Sequence, residues 1–151
     1  MPYSSTDQAN GMPFGPSGLV PGLNAAGQIE NIAMTFNVVA KTAAYTVKTT
    51  ESGTIFTTQG ATAAVTFTLP ATANCAGCLW IFYNCEDVNM TVTAGTVDTM
   101  TAINDVAADS VAFSTSSLKI GGGMIVFGDG TSVHAMILPG QAIQTVTVAT
   151  N

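Results

Sequence analysis

The chain has 151 residues, of which 47% are hydrophobic and only 8% are charged, and its formal net charge at pH 7 is −6. This length suits one domain with a substantial core. Proteins bind phosphate backbones and anionic membranes through Lys and Arg, and this chain has three such residues in all. The composition therefore argues against nucleic acid and against a membrane as partners.

Residues 1–35 form the first predicted element, an extended N-terminal arm. Pro and Gly recur through it, so it cannot hold a regular helix or an inner strand. It is nevertheless apolar, unlike a solvated linker, and fully extended it could reach on the order of 100 Å. We expect it to lie on partner subunits through its hydrophobic side chains, Met12, Phe14, Leu19, Val20, Leu23, Ile29 and Ile32. Its first residues lack the basic and apolar regions of a secretion signal, which predicts synthesis in a cytoplasm.

Residues 36–151 alternate between apolar and polar with a period of two. Val65, Phe67 and Leu69 alternate with threonines, as half-buried strands do. The pair Asp129-Gly130 favours a hairpin, because tight turns need positive φ. The pattern predicts an all-β domain of about nine or ten short strands, an antiparallel β-sandwich or jelly-roll.

A helical alternative exists only at residues 98–109. There Met100, Ile103 and Val106 are near helical spacing, with Asp98 as a candidate N-cap. One helical turn at this point leaves the fold class unchanged.

Two runs, 79–83 and 124–127, are apolar at successive positions. Such a strand is either covered on both faces or lies at a contact between subunits. In a chain with so few charges we favour a contact for at least one run. The predicted contact residues are Leu79, Trp80, Ile81, Phe82 and Tyr83.

The spacing Cys75-x-x-Cys78 admits three interpretations. A redox pair needs its first cysteine at a helix N-terminus, and no helix is predicted there. A zinc site could add Cys85 and His134, but zinc motifs have paired ligand spacings at both ends. The sequence therefore favours Cys78 and Cys85 as small hydrophobic side chains in or beside a strand and Cys75 as a loop thiol, and whether any of them pair is left open.

The remaining polar candidates are equally weak as sites. His134 is the only histidine, so acid–base catalysis through imidazole would have to use it, yet no motif spacing links it to a nucleophile. Glu86 and Asp87, flanked by Asn84 and Asn89, could bind a hard cation, although these residue types are also common in turns. We predict no catalytic residue, no cofactor and no metal site.

Residues 44–84 carry a longer pattern. The pattern begins with a strand that ends in a turn made of an acidic residue, a small residue and Gly. An Ile-Phe pair and then a Gly-Ala-Thr turn follow. Next comes an alternating strand that ends in Leu-Pro, and after it a Gly and an aromatic strand. The positions that carry it are Tyr45, Val47, Glu51, Gly53, Ile55, Phe56, Gly60, Ala61, Val65, Phe67, Leu69, Pro70, Gly77 and Phe82. This pattern resembles a β-module of tailed-bacteriophage structural proteins, and residues 129–138 look like the closing hairpin of that module.

Such modules occur in capsid decoration (cement) proteins and in tail-fibre or spike proteins, and they carry no catalytic residue. The short chain with its arm, without an internal repeat, looks more like a decoration protein. The resemblance implies a virion protein made in the host cytoplasm, which binds the outer capsid surface as a homotrimer and bridges neighbouring major capsid protein subunits. The alternatives are a receptor-binding tail-fibre or spike module and, third, a β-fold hydrolase that uses His134.

Overall fold

The structure is a computed structural model. It describes residues 20–23, 29–32, 35–95, 99–114, 118–140 and 144–150, the first two ranges as backbone only. The chain divides into two units, Met1–Phe36 and Asn37–Asn151, and each is described by itself. Among the described residues, no helix has the length and apolar character needed to cross a membrane.

The described part of the arm is a β-hairpin. Strands β1 (Val20–Leu23) and β2 (Ile29–Ile32) pair antiparallel, so this part folds back on itself and the reach of the arm is shorter than a fully extended chain predicts. The register sets four of the predicted arm contacts opposite one another, Val20 to Ile32 and Leu23 to Ile29. The other three, Met12, Phe14 and Leu19, lie outside the described residues.

The second unit contains twelve described strands. In chain order they are β3 (Asn37–Ala40), β4 (Tyr45–Thr46), β5 (Thr54–Thr57), β6 (Val65–Thr68), β7 (Leu79–Tyr83), β8 (Met90–Thr93), β9 (Met100–Ala102), β10 (Asp105–Ala108), β11 (Ser110–Phe113), β12 (Gly123–Gly128), β13 (Val133–Leu138) and β14 (Thr147–Ala149). The helical segments of the described residues are two short 3-10 turns, Thr49–Glu51 and Thr72–Asn74. The prediction of an all-β fold is confirmed.

The strands form two sheets. The seven-stranded sheet has the order β10-β9-β13-β12-β7-β5-β3, and the five-stranded sheet has the order β14-β11-β8-β6-β4. Their inner faces pack on a common core, so the predicted β-sandwich is also confirmed.

The sheets are mixed rather than antiparallel throughout. From β3 to β8 the chain alternates between the two sheets, so each return to a sheet runs in the same direction as the previous strand there. As a result β3, β5 and β7 are parallel neighbours, and so are β4, β6 and β8. The strand of the opposite sheet serves as the crossover that parallel pairing requires.

Aromatic side chains pack between the two sheets in the region formed by β3 to β8. Phe56 and Phe82 of the seven-stranded sheet stack with ring centroids 5.6 Å apart, and Phe67 of the five-stranded sheet lies 5.0 Å from Phe82. All three are fully buried. Such pairs contribute roughly 0.5–1.5 kcal/mol each beyond their buried area, so this cluster fixes how the sheets face each other.

The helical alternative at residues 98–109 is wrong. Strands β9 and β10 pair as a hairpin in which Asp105 is opposite Ala102. The residues between them, Ile103 and Asn104, have φ angles of 42° and 59°. Two successive left-handed residues make a tight hairpin turn, which interrupts the helical spacing that the side chains suggest. Asp98 lies outside the described residues.

Candidate interaction surface

The two outer faces of the sandwich differ in chemistry. Along the five-stranded sheet, outward positions alternate with buried ones, and Thr66 is aligned with Thr91 and Thr68 with Thr93. Hydroxyl side chains remain hydrated on a half-exposed sheet surface. We call this surface the threonine face; its hydroxyl side chains are Thr46, Thr66, Thr68, Thr91, Thr93, Ser110 and Thr147.

The outer face of the seven-stranded sheet carries hydrophobic side chains instead. They are at least partly exposed, and they alternate with buried residues along β7 and β12. We call this surface the apolar face, and define it by Val38, Ile55, Leu79, Ile81, Tyr83, Ile125, Phe127, Met136 and Leu138.

The central part of the apolar face is one continuous row across five neighbouring strands. Strand register aligns Val38 with Ile55, Ile55 with Ile81, Ile81 with Ile125, and Ile125 with Met136. Aligned residues of neighbouring strands point to the same side of a sheet. Because adjacent strands are about 4.8 Å apart, the row is roughly 19 Å long.

Flanking rows widen this surface on both sides. On one side of the central row, Leu79 is aligned with Phe127. On the other side, Tyr83 and Leu138 are both aligned with Gly123, which lies on the strand between them. Six of the nine side chains are more than a third exposed, from 37% for Leu79 to 62% for Val38. These exposed side chains lie on neighbouring strands and therefore form one continuous apolar patch.

The apolar face is also almost free of charge. Its five strands, as described, place no Asp, Glu or Lys side chain on it; its ionisable side chains are His134, opposite Phe127 in the register, and the phenol of Tyr83. The His134 ring packs on the Phe127 ring with centroids 5.1 Å apart. His134 is half-buried and points outward, whereas its neighbour Val133 is buried in the core.

Asp129 holds the β12–β13 loop beside this face. The predicted hairpin is confirmed, with a four-residue loop between Gly128 and Val133. The backbone N–H groups of Thr131 and Ser132 donate to Asp129 Oδ1 at 2.7 and 2.6 Å, and His134 Nε2 lies 3.3 Å from Oδ2. These hydrogen bonds, that from Ser132 first, lower the pKa of Asp129 to about 2. His134 is thus part of the closure of this loop.

The Cys-x-x-Cys segment is a packed loop. All three cysteines are thiols, and Cys75 follows the end of a 3-10 turn rather than starting a helix. Cys75 Sγ lies 3.3 Å from the carbonyl oxygen of Ala71, and Gly77 N–H donates to Gly128 O at 2.9 Å. A Cβ atom at Gly128 would lie 2.5 Å from Cys75 Cβ. Close backbone packing therefore accounts for this segment, in which the loop thiol Cys75 and also Cys78 are buried, while Cys85 is partly exposed.

Glu86 and Asp87, in the β7–β8 loop, contact neighbouring loops through a hydrogen bond and an ion pair. Glu86 Oε1 accepts a 2.8 Å hydrogen bond from Gly60 N–H, and Asp87 lies 3.8 Å from the Lys119 ammonium. Buried Asn84 accepts from the hydroxyl of Thr58 at 2.6 Å. In the part of the chain that the structure describes, no three His, Cys, Asp or Glu side chains gather as a metal site would require.

The structure divides the predicted contact residues of strand β7 between two environments. Trp80 and Phe82 are fully buried in the core, while Leu79, Ile81 and Tyr83 belong to the apolar face. Sequence reasoning identified the second run, 124–127, but did not find the contributions of β3, β5 and β13. Those strands are connected to β7 only by the pairing of residues between neighbouring strands of the sheet. That pairing cannot be deduced from a single sequence.

No protein-family model matches this chain, and neither does any curated protein.

Proposed function

We propose that this protein is a bacteriophage capsid decoration (cement) protein. It binds the outer capsid surface as a homo-oligomer, expected to be a trimer, and stabilises the shell by bridging neighbouring major capsid protein subunits. The proposal assigns it to the virion and gives it no catalytic role, cofactor or nucleic-acid partner.

The observation that carries this proposal is the apolar face. A chain with net charge −6 that leaves a wide uncharged surface on one sheet and a hydroxyl surface on the other has the chemistry of a protein that works by contact. The polar side chains that could take part in catalysis or metal binding are Asp129, His134 and Glu86. Their hydrogen bonds instead close loops. The phage-module resemblance supports the same class of protein.

The N-terminal arm supplies a second contact in this proposal. Its seven predicted contact residues would lie on capsid subunits, and an oligomer would carry several arms. Linked binding sites raise the effective concentration of one another, so several weak contacts give strong overall attachment.

The test is to locate the chain in intact particles of the phage that encodes it. We expect an affinity-tagged chain to be labelled over the whole capsid surface in electron micrographs, and particles lacking the chain to rupture at lower temperature. Label confined to the tail tip would contradict the proposal and support the receptor-binding fibre or spike module.

A deletion tests the role of the arm. We expect a chain lacking residues 2–33 to keep the circular dichroism spectrum of a folded β-domain and to lose capsid occupancy. Unchanged occupancy would contradict an arm-mediated attachment.

A further inference from the structure

We infer that the apolar face is the contact between copies of this chain, so that its occupant is the same face of a second subunit. The assignment rests on the homo-oligomer of the proposed function, while capsid binding does not enter it. It names the surface that the oligomer would use and predicts which substitutions separate the subunits.

The first support is the contrast between the two outer faces. Both sheets present outward positions of strands with the same two-residue alternation, so the chain could have carried hydroxyl groups on both. Aligned pairs on the threonine face are Thr66–Thr91 and Thr68–Thr93, whereas the aligned pair at the centre of the apolar face is Ile81–Ile125. A continuous apolar patch bordered by polar residues is typical of a protein contact.

The second support is breadth. The face spans five neighbouring strands, and six of its nine side chains are more than a third exposed, whereas a specific interface needs a broad patch on each partner. Two sheets that pack face to face lie about 10 Å apart with interdigitated side chains. The row from Val38 to Met136 provides the ridge that such packing needs.

The third support is electrostatic. Each copy carries a net charge of −6, and like charges brought together at a contact are unfavourable. Among the described acidic residues, Glu51, Glu86, Asp87, Asp105 and Asp109 lie outside the strands of the apolar face, and Asp129 lies in a loop next to it. Two acidic copies can therefore meet at this face without placing carboxylates opposite each other.

A second copy fits these properties better than an unrelated partner does, because the face is compatible with itself. Apolar side chains need no complementary charge pattern. Copies related by a symmetry axis through or beside the face can therefore form a closed assembly in which no charged group is left unpaired. A two-fold axis packs the same face of two copies together as a dimer, whereas the trimer that the phage resemblance implies needs a three-fold axis beside the face, which brings one part of the face against a different part of the next copy.

Substitution of Met136 tests the assignment on the full chain. Met136 is 55% exposed in the single subunit, so Met136→Glu should fold, as Ile125→Glu should if a second position is needed. A carboxylate buried without a partner is strongly unfavourable, and we expect self-association to weaken at least about 100-fold in sedimentation equilibrium. The matched control is Thr91→Glu, at the centre of the threonine face, which should associate like the parent.

The outcomes are distinct. Equal association of Met136→Glu and the parent, or a parent that stays monomeric at high concentration, overturns the inference. A parent that is a dimer supports the face but corrects the trimer of the proposed function. A chain that associates through the face and never binds capsids supports the inference and contradicts the decoration role.

A second measurement needs no variant. Peroxide oxidises exposed methionine, and Met136 is exposed while Met90, Met100 and Met124 are buried. We expect Met136 to be protected at concentrations where the oligomer forms and oxidised after dilution to monomer, as read by mass spectrometry. Protection that persists in the monomer would mean that the same chain covers the face, and would overturn the inference.

Discussion

Asp129 shows how one side chain closes the β12–β13 loop. Its Oδ1 atom accepts two backbone hydrogen bonds, which orient the loop, while Oδ2 faces His134. Both interactions favour the ionised carboxylate. Since the loop connects two strands of the apolar face, Asp129 helps to keep that surface in register although it does not belong to it.

The lowered pKa of Asp129 predicts a pH-dependent contribution to stability. Its pKa falls from an ordinary value of 3.8 to about 2 in the folded chain. A depressed folded-state pKa means that the contribution is present above the unfolded value and is lost as pH falls through about 2. We expect Asp129→Ala to lower the melting temperature clearly at pH 6 and progressively less from pH 4 towards pH 2.

Asp129→Asn is the matched control, because an amide keeps one oxygen that can accept from the loop N–H groups but does not titrate. Its melting temperature should fall less than that of Asp129→Ala, with a smaller change between pH 4 and pH 2. A melting-temperature difference between parent and Asp129→Ala that is the same at every pH would show that the charge of Asp129 does not contribute.

Among the strand connections, the β9–β10 turn carries backbone strain. Ile103 is β-branched and has a φ angle of 42°, a conformation that costs roughly 1–2 kcal/mol for a residue with a side chain. It also exposes 56% of its surface, and the neighbouring Val106 exposes 79%. Little packing energy therefore offsets the strain.

Replacing Ile103 should stabilise the domain. Asn is well tolerated in the left-handed conformation and is favoured in tight hairpin turns. We expect Ile103→Asn to raise the free energy of unfolding by about 1 kcal/mol in urea titrations. Val106→Asn, which removes an exposed apolar side chain on the adjoining strand, should change it by less than about 0.5 kcal/mol. A loss of stability in Ile103→Asn would mean that Ile103 makes contacts that outweigh its strain.

The same turn marks the limit of what the sequence predicts about the elements. Alternation correctly placed Val65, Phe67 and Leu69 in the core, because it depends only on which side of one strand a residue occupies. It could not show that β6 and β8 are parallel, since a two-residue period is the same in both directions. At residues 98–109 the spacing of apolar side chains suggested a helix, and only the left-handed pair Ile103-Asn104 decided for a hairpin.

The candidate surface was predictable to a similar extent. The run 79–83 is unusual within the sequence, so a contact there could be expected, but alternation assigns Trp80 and Phe82 to the core only when the sheet is known. Ile55 and Met136 enter the apolar face through pairings between strands far apart in the chain. Such long-range register is set by the packed core, including the Phe67–Phe82 contact, and not by any local pattern.

Taken across the entire domain, charge and hydrophobicity are separated, and this separation has a consequence for assembly. The acidic groups lie in loops and at strand ends, while the apolar face carries none among its described residues. If copies associate through that face, the attraction between them is hydrophobic and changes little with modest salt. The electrostatic repulsion between two acidic subunits, in contrast, is screened by salt, with a Debye length of about 10 Å at 0.1 M.

Salt should therefore strengthen self-association. With a net charge of −6 on each copy, raising the ionic strength from about 0.01 M to about 0.3 M shortens the screening length more than fivefold, and we expect the association constant in sedimentation equilibrium to rise severalfold. Adding sucrose at constant ionic strength is the control for a change in solvent alone. Association that weakens with salt would indicate ion pairs between subunits, and would locate the contact at the acidic loops instead of the apolar face.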